Sequence, residues 1–229
     1  MTTNLPLILN IETSTKNCSV ALFRGDFLLS EKSLLSDKFS HSETLTLFIE
    51  EVMSNLKLKL SDLSAIAVSK GPGSYTGLRI GVSTAKGLSY SLSIPLISVP
   101  TLQSMAYSRS QINSNFDLYC PMIDARRMEV FSAFYDMENN EIRKVQADII
   151  DENSYINYSQ QSILFFGDGS SKCKGIIKLP NASFVEDVFP SAKDMAPISF
   201  KKYLSNDVED VAYFEPFYLK DFVAGKKKI

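Results

Sequence analysis

A glycine-rich turn that runs directly into a helical pattern is the strongest constraint on the fold of this chain. The segment GPGSYTGLRIGVSTAKGL, residues 71–88, keeps Gly77, Gly81 and Gly87 inside its helical part. Glycine inside a helix costs ~1 kcal/mol relative to alanine, so three of them indicate a close approach by another backbone. Gly77 and Gly81 are four residues apart and share one helical face. We expect another helix to pack there.

Glycines in front of a helix also bind phosphate, because their backbone amides can surround an anion at the helix N-terminus. Here the spacing of Gly71, Gly73 and Gly77 departs from the dinucleotide-binding fingerprint. The chain also lacks the GxxxxGK[ST] string of a P-loop. We therefore favour close helix packing over a phosphate loop.

Hydrophobic periodicity predicts an α/β fold. Segments 7–13, 18–24 and 27–35 have strand patterns separated by short turns and predict consecutive hairpins. A later strand, helix and strand form a βαβ-like unit. We place a first lobe at 1–104 and a second, smaller lobe at 105–229. The other predicted elements are helices at about 42–57 and 74–92 and strands at 65–69, 94–99, 118–125, 130–136, 141–149 and 163–166.

Composition excludes several classes of protein. The 229 residues are 45% hydrophobic, enough for a substantial core, and their formal net charge of −2 gives no overall basic field for nucleic acid. Three widely spaced cysteines fit neither a disulfide framework nor a CxxC motif. We predict a cytoplasmic protein, because the N-terminal segment lacks signal-peptide features and no apolar run reaches the ~18 residues of a membrane span. Lys226–Lys228 is interpreted as a solvated chain end.

The chain has a single histidine, His41. It lies in the first turn of a predicted helix, where Ser40 and Glu43 have the spacing of a capping box. We interpret His41 as a capping or surface residue. Without a second histidine, the chain has neither the ligands of a histidine-based zinc site nor the relay used by several classes of hydrolase.

Four carboxylates are candidates for acid/base chemistry or magnesium binding. The candidate pairs are Asp124 with Glu129 and Glu12 with Asp168. The sequence does not bring either pair together in space, and charged residues at strand ends are usually solvated.

The start of the second helix offers hydroxyl groups from Ser74, Tyr75 and Thr76. We interpret Ser74 as the residue that caps this helix. Arg79, on the following turn, has the chemistry to hold an anion or a carboxylate. We favour a structural ion pair for it, either within the chain or across a partner interface.

Five segments carry a resemblance to a known family. ILNIETSTKNCSVAL at 8–22 resembles the opening hairpin of the actin-like ATPase superfamily. HSETL at 41–45, the long segment at 71–88, IDARRMEVFSAFYD at 123–136 and EPFYLK at 215–220 resemble the TsaB family. Its members are small non-catalytic partners in bacterial threonylcarbamoyladenosine synthesis on tRNA. The resemblance implies an α/β fold of two actin-like lobes, with mixed sheets and flanking helices.

The resemblance also implies that this chain is not an enzyme. In the larger catalytic relative, TsaD, two metal-binding histidines occupy the positions that correspond to Thr101 and Met105 here. Neither side chain can replace an imidazole ligand, so we expect no metal and no cofactor. Residues 167–169 resemble a remnant of a second phosphate loop. The vestigial nucleotide-binding set is Glu12, Thr13, Ser14, Gly167, Asp168 and Gly169.

The family's interface with TsaD implies a partner surface on the two long helices, with the ATPase TsaE as a further partner. The resemblance also leaves room for a homodimer when the chain is alone, and it implies an indirect contact with tRNA and none with a membrane. The predicted interface residues are Leu45, Phe48, Ile49, Val52, Gly77, Leu78, Gly81, Val82 and Ala85.

Two other functions compete with this one. An independent actin-like ATPase or phosphotransferase would use Glu12, Thr13, Asp168 and bound magnesium. A metallopeptidase would need ligands that a chain with one histidine and no cysteine cluster does not provide.

Overall fold

A computed structural model describes residues 5–36 and 41–220, which form an α/β fold with two five-stranded sheets. The strands of the first sheet are β1 (Leu7–Glu12), β2 (Asn17–Arg24), β3 (Phe27–Leu35), β4 (Ala65–Gly71) and β5 (Leu96–Pro100). The strands of the second sheet are β6 (Leu118–Asp124), β7 (Glu129–Tyr135), β8 (Glu141–Ile149), β9 (Ile163–Phe166) and β10 (Ala182–Val185). The helices are α1 (His41–Ser54), α2 (Tyr75–Leu92), α3 (Thr101–Ile112) and α4 (Ala196–Leu204).

The first sheet has the order β3-β2-β1-β4-β5. β1, β2 and β3 form the predicted antiparallel hairpins, and the tight turn between β2 and β3 uses Gly25 at a φ of 61°. β4 lies parallel to both β1 and β5, with α2 as the crossover helix. The predicted βαβ unit is confirmed. β1 and β4 lie in the middle of the sheet and are buried on both faces.

The two faces of the first sheet are covered by different parts of the chain. Leu7, Leu9 and Ile11 of β1 belong to a core that they share with α1 and α2. Ile8, which points the other way, packs in a second core with residues 192–196, the 3-10 turn that precedes α4 and the first residue of that helix. The chain therefore returns to its first sheet after building the second one.

The second sheet has the order β10-β9-β6-β7-β8, with β9 parallel to β6 and β10. Its main core stacks aromatic rings, and the Phe134 and Tyr158 centroids lie 4.5 Å apart. Helix α3 packs against the opposite face, where Leu102 and Met105 contact the β6 side.

This packing bears on the predicted lobe ranges. The boundary between 104 and 105 falls inside α3, and the predicted second lobe at 105–229 includes α4, which packs on the first sheet. The sequence reasoning did not predict α3, α4 or β10. The predictions for Ser40 and Lys226–Lys228 fall outside the described residues.

Candidate functional site

The glycine face of α2 packs against the β1–β2 turn of the same chain. A Cβ atom added to Gly77 would overlap the carbonyl oxygen of Thr13, and one added to Gly81 would overlap the Thr13 Oγ1. That hydroxyl donates a hydrogen bond of 2.8 Å to the Gly77 carbonyl. The close approach predicted from the glycines is therefore real. Its partner is not another helix, however, but a buried turn of this chain.

Most of the predicted interface residues are committed to the chain's own core. Leu45 is 1% exposed, and Leu78 is also 1% exposed. The buried members have little surface of their own to offer, so their contact with a partner stays a prediction. Phe48 is partly buried against the same core. The buried members are Leu45, Ile49, Val52, Gly77, Leu78, Gly81, Val82 and Ala85.

The outward faces of α1 and α2 carry other residues. Leu47 of α1 is 55% exposed and Tyr90 of α2 is 81% exposed. Gly87 of α2 is exposed, and an added Cβ atom there would have no neighbour within 4 Å in the part of the chain that the structure describes. Thus Gly77 and Gly81 are explained by packing within the chain, whereas Gly87 is not.

Glu12 lies at the end of β1, completely buried beneath the turn. Its Oε1 accepts hydrogen bonds from the Ser14 backbone amide at 2.6 Å and from the Ser69 hydroxyl at 2.8 Å. Burial nevertheless raises the pKa of the Glu12 carboxyl above its usual value, with a smaller contribution from the charge of Asp194. The candidate pair of Glu12 and Asp168 is not brought together, since each carboxylate has different neighbours.

His41 is 2% exposed, so of the two interpretations, capping or surface, the surface one is wrong. Its Nε2 lies 2.7 Å from the Thr15 carbonyl oxygen. Because a carbonyl oxygen only accepts, Nε2 carries the proton and donates. The single histidine therefore ties the start of α1 to the β1–β2 turn, which fits a structural role.

A cleft between the two lobes forms a cavity of about 430 Å³. Asp168, after β9, accepts a 3.0 Å hydrogen bond from the Asp124 amide at the end of β6. Burial raises the pKa of Asp168, and the nearby Asp124 carboxylate raises it further. Asp124 also pairs with Lys172. Asp124 thus adjoins Asp168. Glu129, the other member of its candidate pair, forms an ion pair with Lys220.

The glycines beside Asp168 have packing roles. Gly167 has a φ of 113°, and a Cβ atom there would overlap the Met122 carbonyl oxygen of β6. Gly169 donates its amide to that same oxygen at 3.0 Å. These contacts hold the 167–169 turn tightly against the sheet. The assignment of the turn to vestigial nucleotide binding stays a prediction.

At the start of α2, Ser74 is the predicted cap, and its hydroxyl accepts the Gly77 amide at 3.3 Å. Arg79 contacts two tyrosines, and Glu215 is near enough to act on its charge. The Arg79 Nε donates to the Tyr218 hydroxyl at 3.3 Å, and its guanidinium lies 4.3 Å from the centre of the Tyr75 ring. An ion pair across a partner interface stays a prediction. The sequence reasoning missed Tyr218, although the EPFYLK segment that contains it was singled out.

Comparison with known proteins assigns the chain to a family. It is 30% identical over 231 residues to the tRNA threonylcarbamoyladenosine biosynthesis protein TsaB of Escherichia coli (strain K12), covering 96% of this chain and 97% of that protein. The chain belongs to the TsaB family. TsaB of Bacillus subtilis (strain 168) is 34% identical over 75% of each chain. The family model described as "TsaD: tRNA N6-adenosine threonylcarbamoyltransferase" matches residues 36–228.

A solved structure supports the fold of this TsaB-family chain. It is described as an uncharacterized protein with similarity to peptidase YEAZ from Pseudomonas aeruginosa, and it aligns with a TM-score of 0.80 and 22% identity. The alignment covers 94% of this chain and 100% of that one. The predicted fold class, two actin-like α/β lobes, is confirmed.

Two positions of this TsaB-family chain bear on metal binding. Thr101 is fully buried and Met105 is 2% exposed, so both side chains pack inside the molecule. Within residues 5–36 and 41–220, no group of three or more His, Cys, Asp or Glu side chains is arranged to hold a metal ion. In the same described portion, no helix is long and apolar enough to cross a bilayer.

Proposed function

We propose that this chain is a non-catalytic subunit of the apparatus that makes threonylcarbamoyladenosine on tRNA, and that it acts in the cytoplasm by binding the catalytic subunit TsaD. The curated relatives are named for this biosynthesis, and the matching family model is that of the transferase. Thr101 and Met105, which are not imidazole ligands, support a role without catalysis. TsaE joins the pair, and tRNA is contacted indirectly.

The proposed partner-binding role rests mainly on the exposed glycine of α2. Gly87 weakens the helix, yet a Cβ atom added there would meet no atom within 4 Å among residues 5–36 and 41–220. Ser83 and Thr84, one turn earlier, are also small and are at least partly exposed. A helix of another subunit can therefore approach α2 closely at this point, while the exposed side chains of Leu47 and Tyr90 supply apolar contact area.

Replacement of Gly87 by glutamine tests this surface. Glutamine is a good helix former and has room at this position, so the free protein should keep its stability or gain slightly. The added side chain should block helix approach and weaken TsaD binding by at least about tenfold, which corresponds to about 1.4 kcal/mol. Calorimetric titration of purified TsaD into the variant measures the affinity.

Leu204→Gln is the matched control, since Leu204 is 68% exposed on α4, on the opposite face of the first sheet. It should bind TsaD as the wild type does. Wild-type affinity in Gly87→Gln would refute the proposed surface. Sedimentation of both variants without TsaD shows whether the same surface supports a homodimer.

A further inference from the structure

The segment 210–220, called the strap here, crosses the molecule after the last helix. It has no regular helix or strand, and its contacts give it a fixed path. The Lys86 ammonium of α2 donates to the carbonyls of Ala212 at 3.1 Å and Phe214 at 2.9 Å. Further along, the Phe217 amide donates to the Lys70 carbonyl of β4 at 2.7 Å. The strap is thereby fastened along the first lobe.

The glycine turn is shaped to accept the strap. Gly71 has a φ of 108°, and a Cβ atom added to it would lie 2.8 Å from the Phe217 carbonyl oxygen. One residue on, the Tyr218 ring centre lies 4.9 Å from that of Tyr75, and Arg79 bonds the Tyr218 hydroxyl. Backbone, ring and hydroxyl contacts all hold this part of the strap to the start of α2.

The far end of the strap reaches the second lobe. Lys220 pairs with Glu129 at the start of β7, with the two side chains 46% and 20% exposed. Residues 217–220 line the inter-lobe cavity together with Asp124 and Arg126 of the second lobe. Phe217 also lines a neighbouring cavity of about 280 Å³ beside Tyr135 of β7.

We infer that the strap closes the cleft between the lobes. It is fixed to the first lobe, and it can be released from the second lobe at the Lys220–Glu129 ion pair. The two attachments differ in strength. The attachment to the first lobe combines the Phe217 amide bond to β4, the two Lys86 bonds to strap carbonyls and the Tyr75–Tyr218 ring contact. The attachment to the second lobe uses a partly exposed ion pair, which is a weak and salt-sensitive contact. Release of that pair opens the cleft walls to solvent without unfolding either sheet.

Hydrogen exchange with mass spectrometry on the full chain tests whether the strap closes the cleft. Lys220→Glu should speed exchange at least threefold in peptides from both cleft walls, residues 72–76 and 123–127. The charge-swapped double variant Lys220→Glu/Glu129→Lys should restore wild-type rates. Lys174→Glu is the matched control, because it disrupts the exposed ion pair with Glu186, which is not part of the strap. Its cleft peptides should exchange as in the wild type.

Two outcomes would overturn the inference. In the first, the strap peptide exchanges faster in Lys220→Glu while both cleft walls keep wild-type rates, which would mean that the strap is only a packed tail. In the second, the charge swap fails to restore protection although urea denaturation shows wild-type stability. Raising the salt concentration should mimic Lys220→Glu in the wild type and have little effect on that variant.

Discussion

The contact between α2 and the β1–β2 turn predicts opposite effects for the same substitution at two glycines of one helix. Gly87→Ala should stabilise the protein by up to about 1 kcal/mol, because alanine is the better helix former and the position is open. Gly81→Ala gains the same helix-forming free energy, but its new methyl group overlaps the Thr13 Oγ1 atom.

The effect of Gly81→Ala on the free energy of unfolding follows from the contacts that Thr13 loses. Displacing its hydroxyl forfeits the hydrogen bond to the Gly77 carbonyl, worth about 1 kcal/mol net. Crowding in a close-packed site adds about 1–3 kcal/mol. After the helical gain, Gly81→Ala should lower the free energy of unfolding by about 1–3 kcal/mol, and the two glycine variants should differ by about 2–4 kcal/mol.

Urea denaturation followed by circular dichroism measures both variants. Adding Thr13→Ala to Gly81→Ala removes the overlapping atom, so the double variant should be more stable than the sum of the single effects by about 1 kcal/mol or more. Thr13→Ser keeps Oγ1 and should give no such relief. Equal stabilisation by Gly81→Ala and Gly87→Ala would refute the packing argument.

Two further predictions concern the buried polar residues. Because the folded Glu12 carboxyl has a raised pKa, the folded state binds its proton more tightly than the unfolded chain does, so stability should fall as the pH rises above the ordinary value of 4.5. Urea denaturation across a pH series should show a shallower decline in Glu12→Gln, and identical slopes would contradict the assignment. His41→Phe leaves the Thr15 carbonyl without its donor, so thermal unfolding should show a loss of about 1–3 kcal/mol, and unchanged stability would contradict the structural role of His41.

Strong periodicity made the strands, the hairpins and the two long helices predictable. α3 was missed because small polar residues, among them Ser104 and Ser110, occupy part of its buried face and hide the apolar stripe. α4 is short and begins beside a proline, and β10 has only four residues.

The close packing at the glycines of α2 was predictable from the sequence, but the group that they pack against was not. The sequence correctly indicated a close approach at Gly77 and Gly81, yet the group that fills the space, Thr13, is 64 residues away from Gly77. A wide apolar stripe likewise does not reveal which of its members face the chain's own sheet, so Leu45 and Leu78 were assigned to a partner. Long-range packing of this kind is set by tertiary structure and not by local pattern.

The return of residues 192–196 to the first sheet has a consequence for synthesis of the chain. One face of that sheet, with Ile8, Ala65 and Ile97, is covered by Ala192, Met195 and Ala196. On the ribosome this apolar face stays bare until nearly the whole polypeptide has emerged. The second sheet, whose strands end at Val185, has all its strands available earlier. The packing of the first sheet is therefore completed last. A nascent chain that stalls before Ala192 would expose the apolar face of this sheet, and exposed surface of this kind is prone to aggregation and is bound by chaperones.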